Sequence, residues 1–154
     1  MDVRHLRLRK NLDTRLMPAI WPPGAYLLPL RDIDPRAIHA LLVESYANGF
    51  GEVAPFEQWW DNLNTDDEFD PSLVLIPAAN SVPIGLCQSW TSAFIKDIVV
   101  TPGQRGRGLG EALLWHAFAL FQARGAAHVD LKVDLDNTRA QRLYHRVGMV
   151  QVFA

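Results

Sequence analysis

The stretch "VVTPGQRGRGLGEALL", Val99 to Leu114, combines the end of a strand, a glycine-rich turn and the start of an apolar helix. Three glycines alternate with two arginines in the turn. The first N–H groups of a helix have no partner within the helix, and the helix dipole adds partial positive charge there. The stretch therefore predicts a turn that binds an anion such as phosphate.

The hydrophobic pattern around this turn predicts one α/β domain with a mixed, mostly antiparallel sheet and helices on both faces. The predicted elements are a strand over 25–31, helices from 35 and over 55–63, strands over 72–76, 83–90 and 94–100, a helix over 108–123, a strand over 128–134, a helix over 137–148 and a strand over 149–154. Short connections make the three central strands antiparallel neighbours. The helix over 108–123 links 94–100 to 128–134, so those two strands are predicted to be parallel.

Composition excludes several classes of protein. The chain has 154 residues and a net charge of -2 at pH 7, so we expect one domain and no general affinity for nucleic acid. A single cysteine, Cys87, allows no internal disulfide, and no group of residues has the spacing of metal ligands. The sequence contains neither a signal peptide nor an apolar run long enough to span a membrane, which predicts a cytoplasmic protein.

Two common phosphate-binding patterns compare poorly with the turn. A P-loop requires Lys followed by Ser or Thr, and neither follows these glycines. A dinucleotide fingerprint has the spacing G-x-G-x-x-G, whereas Gly106, Gly108 and Gly110 are spaced G-x-G-x-G. Asp130 lies about 20 residues downstream, as in that fingerprint, so a dinucleotide-dependent oxidoreductase stays an alternative.

A third pattern matches residue by residue. The stretch resembles the acetyl-CoA signature of the GNAT superfamily of N-acetyltransferases, V-x-P-x-x-[RQ]-x-x-G-x-[GA], at Val100, Pro102, Arg105, Gly108 and Gly110. Downstream, "DNTRAQRLYHRVGM" is similar to the second motif of that family, with Asn137, Ala140, Leu143, Tyr144 and Gly148 in place and Met149 instead of the usual Phe. The resemblance covers about residues 25–154.

The resemblance implies a GNAT-like acyltransferase fold that binds acetyl-CoA. Glycines let the main chain approach closely, and the N–H groups from Arg105 to Gly110 suit the two linked phosphates of coenzyme A. The implied cofactor-binding residues are Ile98, Val99, Val100, Arg105, Gly106, Arg107, Gly108, Leu109, Gly110, Asn137 and Tyr144. In the strand, main-chain N–H groups would polarise the acetyl carbonyl. The alternative for the turn is a structural one with two solvated arginines.

The resemblance also implies acetyl transfer to an amine by direct attack, and it assigns two catalytic residues. Tyr144 is the residue that the family uses to protonate the departing thiolate, although a buried core tyrosine is the other interpretation. "FIKDIVVTP" resembles family members that read "YLxDLxVxP", which places Asp97 beside the reacting centre. An unperturbed Asp is a weak base, so a water relay or orientation of the amine suits it better than direct deprotonation. A strand-edge salt bridge is the alternative.

The acceptor is predicted only as a small-molecule amine or a peptide or protein amine. Trp59, Trp60 and the acidic segment 66–70 form either a mouth that attracts a cationic acceptor or a solvated loop. The polar face of strand 128–134, with Asp130 and Lys132, is either solvated or part of the acceptor groove. A non-catalytic domain that binds acyl-CoA stays an alternative to the enzyme.

Residues 1–24 form a basic leader of uncertain structure before the predicted domain at 25–154. In the family, one more strand normally follows the strand after the second motif, and the last strand often lies beside the equivalent of 128–134. The segment 149–154 provides only one strand. We expect "HLRLR", His5 to Arg9, or 149–154 itself to fill the gap, within the chain or across a homodimer. A disordered leader with a shortened sheet is the alternative.

Overall fold

The computed structural model describes residues 4–47 and 49–153, and these form one mixed sheet of eight strands with four helices. The strands are β1 (His5–Asn11), β2 (Tyr26–Leu28), β3 (Val74–Ala79), β4 (Val82–Pro83), β5 (Gly85–Trp90), β6 (Phe94–Val100), β7 (His128–Asp134) and β8 (Val150–Val152). The helices are α1 (Pro35–Ser45), α2 (Phe56–Thr65), α3 (Leu109–Ala123) and α4 (Thr138–Arg146). The α/β fold class is confirmed; Ala154, predicted within the last strand, lies outside the described residues.

The strands lie in the order β2-β3-β5-β6-β7-β1-β8, and β4 pairs with β3. β3, β5 and β6 are antiparallel neighbours, and β6 is parallel to β7, both as predicted. The parallel pairing follows from the crossover through α3, which returns the chain to the same edge of the sheet.

The N-terminal strand β1 lies inside the sheet, between β7 and β8. It pairs antiparallel with β7 from His5 opposite Asp134 to Asn11 opposite His128, and it pairs with β8 on its other edge. The segment "HLRLR" therefore completes the sheet within its own chain. The expectation of a strand exchanged in a homodimer depended on a gap beside β7. That gap is filled by β1 of the same chain.

Each face of the sheet carries its own apolar core. α3 and α4 pack on one face, where the largest fully buried side chains are Phe118 and Phe121. α1 and α2 pack on the other face through Leu42, Trp59 and Leu63. Among the residues that the structure describes, no helix has the length and apolar content that crossing a lipid bilayer requires.

The helix start that follows the glycine turn differs from the start of α1. Asp34 caps α1, because its side chain accepts a hydrogen bond from the Arg36 N–H at 2.9 Å, and Pro35 occupies the first helical position. α3 has no such side-chain cap: Gly108 occupies that position in the left-handed conformation. The N-terminus of α3 thus keeps its main-chain donors available.

Candidate active site

A cleft opens where β6 and β7 separate. The two strands pair only at Phe94 opposite Asp130 and Ile95 opposite Leu131, near the start of β6. Beyond that point they diverge, and the gap has a volume of about 920 Å³. The second half of β6, the glycine turn, α4 and the segment after α1 line it. A cleft of this size suits a cofactor together with part of a second substrate.

A bulge in β6 lies at the start of this cleft. Gln88 of β5 pairs with Asp97 and Ser89 pairs with Ile95, which leaves Lys96 as the extra residue. A bulge bends its strand and increases the local twist. β6 therefore turns away from β7 at this residue, and the cleft begins there.

The open edge of β6 presents main-chain groups to the cleft. The Thr101 N–H donates to the Ile84 oxygen on the β5 side at 3.0 Å. Because main-chain groups alternate in direction along a strand, the N–H groups of Ile98 and Val100 point to the opposite side, into the cleft, and that of Val99 points to β5. Two of the three predicted strand residues thus offer N–H donors there, and the side chain of Val99 lies in the core.

The glycine turn forms the far end of the cleft. Gly106 and Gly108 have φ of +79° and +85°, and a Cβ at either position would meet no protein atom within 4 Å. Ala112 is the first residue of α3 whose N–H bonds back, to the Gly108 oxygen at 3.0 Å. The N–H groups before it, from Leu109 to Glu111, are free of main-chain acceptors in the described chain. Such a cradle fits a phosphate group.

The other predicted turn residues separate into two groups. Arg105 lines the cleft, where its Nε donates to the Val100 oxygen at 3.2 Å, and Leu109 and Gly110 line it as well. A Cβ at Gly110 would lie 3.1 Å from Cδ2 of Leu143, so this glycine also allows α3 to pack against α4. Arg107 is exposed and does not line the cleft.

α4 brings the second motif to the cleft. Asn137 lines it, and its side chain also caps α4 by accepting from the Ala140 N–H at 3.2 Å. Tyr144 is buried, and within the described chain no group hydrogen-bonds to its hydroxyl. Burial raises the pKa of Tyr144, and the nearby Cys87 adds to this rise. The phenol therefore stays protonated over the physiological range and is available as a donor.

Three arginines of α4 were missed by the sequence analysis. Arg139 and Arg142 line the cleft beside Ala140 and Leu143, together with Arg146 near the end of the helix. Their spacing of three and four residues places them on one side of α4. This spacing is visible in the sequence, but the sequence analysis followed the apolar side of the helix, which lies next to the arginines. They add positive charge along the cleft wall.

Asp97 lies in the cleft between two donors. The Tyr46 hydroxyl donates to Oδ1 at 2.5 Å, and Lys96 Nζ lies 3.2 Å from Oδ2. Tyr46 follows α1 directly. Burial raises the pKa of Tyr46 well above its usual value, and the charge of Asp97 and a hydrogen bond to it raise it further. Tyr46 is therefore a second neutral phenol at the cleft.

The single cysteine does not line the cleft. Cys87 is fully buried in β5, and burial raises the pKa of its thiol to about 12. A buried thiol of this kind is not ionised near neutral pH. In the described ranges, no group of three or more His, Cys, Asp or Glu side chains is arranged to hold a metal ion.

The two tryptophans and segment 66–70, for which an acceptor mouth and a solvated loop were both open, do not line the cleft. Trp59 is 8% exposed and packs in the core under α1, and neither tryptophan lines the cleft. In the acidic segment, Asp70 bonds to Arg124 at 2.7 Å, away from the cleft. The Trp59 side chain is thus part of the packing between the helices and the sheet.

The polar face of β7 has two parts. Asp130 is buried beneath β1 arginines: Arg7 Nε and Arg9 Nε each lie 2.8 Å from its carboxylate oxygens. Lys132 and Asp134, further along the strand, line the cleft. Asp130 thus links β7 to β1 through ion pairs, whereas Lys132 and Asp134 belong to the candidate site.

Comparison with known proteins gives one family. Residues 36–149 match the family model described as Acetyltransferase (GNAT) family. The crystal structure of a GCN5-related N-acetyltransferase from Sphaerobacter thermophilus superposes with a TM-score of 0.81 at 29% identity, over 96% of this chain and 48% of that one.

Curated relatives include enzymes named for different acceptors. A mycothiol acetyltransferase of Saccharopolyspora erythraea is 29% identical over 92% of this chain and 48% of its own length. A putative [ribosomal protein bS18]-alanine N-acetyltransferase of Bacillus subtilis is 32% identical over 64% of this chain and 69% of its own length. The chain thus spans about half the length of the mycothiol acetyltransferase that it matches.

Proposed function

The chain belongs to the acetyltransferase (GNAT) family, and from this we propose that it transfers an acetyl group from acetyl-CoA to an amine by direct attack. The observation that carries the proposal is the continuity of the cleft. One cavity joins the open cradle at Gly106 and Gly108 to the unpartnered Tyr144 hydroxyl and to Asp97. An anion-binding end and a proton-donating end within one cavity suit a phosphorylated thioester.

Acetyl-CoA fits the cleft in one direction. Its pyrophosphate would lie at the start of α3, where free N–H groups and Arg105 favour negative charge. Arg139 and Arg142 would add charge to the same region. The pantetheine arm would then run along the open edge of β6, where the N–H groups of Ile98 and Val100 are available to it.

The chemistry assigns one task to each group. The amine nitrogen forms a bond to the acetyl carbon, the carbon–sulfur bond breaks, and the ammonium proton passes to solvent. N–H donors on β6 would stabilise negative charge that develops on the carbonyl oxygen. Tyr144 would hydrogen-bond to the departing sulfur. Since the pKa of Tyr144 is raised, this bond contributes more through charge stabilisation than through complete proton transfer.

Asp97 would orient the amine rather than deprotonate it directly. Its carboxylate already accepts from Tyr46 and contacts Lys96. Both carboxylate oxygens are thus engaged by donors, an arrangement that suits holding a cation in place. A cationic amine beside it would be held in place until it loses its proton to water.

The proposal covers the chemical class of the acceptor and does not name an individual acceptor molecule. The relatives that match carry names with different acceptors, among them mycothiol and an alanine of a ribosomal protein. We therefore propose a primary amine, on a small molecule or at a peptide N-terminus. The cleft beyond Asp97, with Phe50, Glu52 and Lys132 in its wall, would contact the rest of this acceptor.

A panel experiment tests this function. The protein is incubated with isotope-labelled acetyl-CoA and a panel of amino sugars, polyamines, amino acids and alanine-starting peptides, and products are identified by mass spectrometry. Calorimetric titrations with acetyl-CoA and NAD run in parallel. The proposal predicts binding of acetyl-CoA and labelled amide from at least one amine. Binding without any amide would indicate a non-catalytic acyl-CoA domain, and binding of NAD alone would indicate the oxidoreductase.

A further inference from the structure

Asp97 is held by two donors of different character. Tyr46 is half-buried and follows α1, whereas the Lys96 side chain is 43% exposed and belongs to the bulge of β6. Both line the same cleft. An exposed ion pair contributes at most about 1 kcal/mol, because solvent screens it and ordering a long side chain costs entropy. The Lys96 contact is therefore the one that a ligand can replace.

The segment after α1 is built around the Tyr46 ring. A Cβ at Gly51 would lie 2.5 Å from both Cδ1 and Cε1 of Tyr46, so no side chain fits at that position. The ring lies directly against the Gly51 main chain as a result. This packing, together with the hydroxyl bond to Asp97, fixes the phenol on the acceptor side of the cleft.

Both phenols line the same cavity as Asp97. Asp97 follows the bulge at which the cleft begins, so it lies at the other end of the open edge of β6 from the glycine turn. An amine at Asp97 would thus enter the cleft away from the proposed phosphate site.

Lys96 carries the same chemical group as a protonated acceptor. Its ammonium lies 3.2 Å from Oδ2 of Asp97. We propose that the acceptor's ammonium group binds at Asp97 by displacing the Lys96 ammonium, while Tyr46 holds the carboxylate in place. Tyr46 is a positioning residue in this arrangement, and Lys96 is an internal competitor. The inference rests on the proposed acetyl transfer and adds to it the way in which the amine is admitted.

Two substitutions have opposite expected effects on the acceptor. Lys96→Met removes the competitor, so the KM for the amine falls by about two- to fivefold, in line with an exposed ion pair. Lys96→Arg keeps a cation beside Asp97 and is the matched control, with a KM no lower than that of the wild type. Tyr46→Phe keeps the ring against Gly51 but loses the hydroxyl, so kcat/KM falls by about 10- to 100-fold, mainly through KM.

The experiment measures initial rates against amine concentration at saturating acetyl-CoA, using an amine that the wild type acetylates. Calorimetry with acetyl-CoA and thermal melting accompany each variant, and affinity for acetyl-CoA is expected to stay unchanged. A KM for Lys96→Met that equals or exceeds the wild-type value overturns the displacement. A Tyr46→Phe variant with wild-type KM overturns the positioning role. Either result leaves the proposed acetyl transfer intact, because the wild type still acetylates the amine. A wild type that acetylates no amine refutes the proposed function itself.

Discussion

At the scale of single residues, the candidate chemistry depends on groups whose protonation is fixed by burial. Tyr144 and Tyr46 both remain neutral because burial raises their pKa values. They differ in partners: Tyr46 donates to Asp97, and the Tyr144 hydroxyl has no partner in the described chain. A phenol that lines the cleft without a bond to the protein is available to a ligand, which favours a functional interpretation of Tyr144.

Tyr144→Phe tests that interpretation, because it removes only the hydroxyl. Turnover is expected to fall by about 10²- to 10⁴-fold, the range for loss of a proton-donating group. Since no protein hydrogen bond is lost, thermal stability and affinity for acetyl-CoA should be retained. The measurement is kcat at saturating substrates together with a calorimetric Kd. Wild-type turnover in the folded variant would leave Tyr144 as a core residue only.

At the scale of elements, the turn and α3 act as one unit. Gly108 begins α3 in a left-handed conformation that points its missing Cβ toward open space in the cleft. Gly125, after the other end of α3, has nearly the same φ, +83°, and also lacks neighbours at its Cβ, but it does not line the cleft. A comparison of substitutions at these two glycines therefore distinguishes the effect of backbone strain from the effect of contact with a ligand.

Gly108→Ala and Gly125→Ala should cost similar stability and differ in binding. A non-glycine residue in the left-handed region costs about 1–2 kcal/mol at either site. Only the methyl group at 108 intrudes on the proposed phosphate site, so affinity for acetyl-CoA should fall by at least about tenfold in Gly108→Ala and stay unchanged in Gly125→Ala. Melting curves and calorimetry measure both effects. Equal affinities in the two variants would remove the turn from the cofactor site.

Local patterns predicted the elements and one half of the site. The alternation in 128–134 and the glycines around 106–110 carry their signals within a few residues, so β7 and the turn were found. Tyr46 was missed because its partner, Asp97, is 51 positions away in sequence and meets it only after α1 packs on β6. The two interpretations of Trp59 stayed open for the same reason: an aromatic helix residue gives no local sign of which neighbour will cover it.

At the scale of the whole molecule, the N-terminal strand joins the two ends of the chain in one sheet. β1 lies between β7 and β8, and the charged cluster of Asp130, Arg7 and Arg9 fastens it. Burial alone would raise the pKa of Asp130, but hydrogen bonds from Arg9 and Arg7 outweigh it and leave that pKa below its usual value. The alternation of residues predicted that this segment forms a strand. The position of Asp130 beneath it could be seen only in the folded structure.

Asp130→Asn should destabilise the protein in a pH-dependent way. Loss of the charge leaves Arg7, Arg9 and the nearby His128 without a carboxylate, at a cost of about 2–3 kcal/mol, which lowers Tm by about 5–10 °C. Because the pKa of Asp130 is lower in the folded than in the unfolded protein, its charge stabilises the fold at pH values above the unfolded pKa, near 4. This stabilisation is lost as the pH falls through the folded pKa. The difference in Tm between wild type and variant should therefore narrow below about pH 4.

Glu111→Gln is the control for this prediction, because Glu111 pairs with Arg146 at an exposed site. Loss of such a pair should cost less than about 1 kcal/mol. Thermal melts at several pH values compare the variants. A Tm difference for Asp130→Asn no larger than that for Glu111→Gln would show that the cluster does not hold β1 in the sheet.

A crystal structure of the protein with coenzyme A tests the central claim most directly. The account predicts that the pyrophosphate accepts hydrogen bonds from N–H groups between Gly106 and Glu111, and that the arm follows the open edge of β6. The sulfur should then lie within hydrogen-bonding distance of the Tyr144 hydroxyl. Coenzyme A bound outside the cleft, or within it with its sulfur at the glycine turn, would contradict the account.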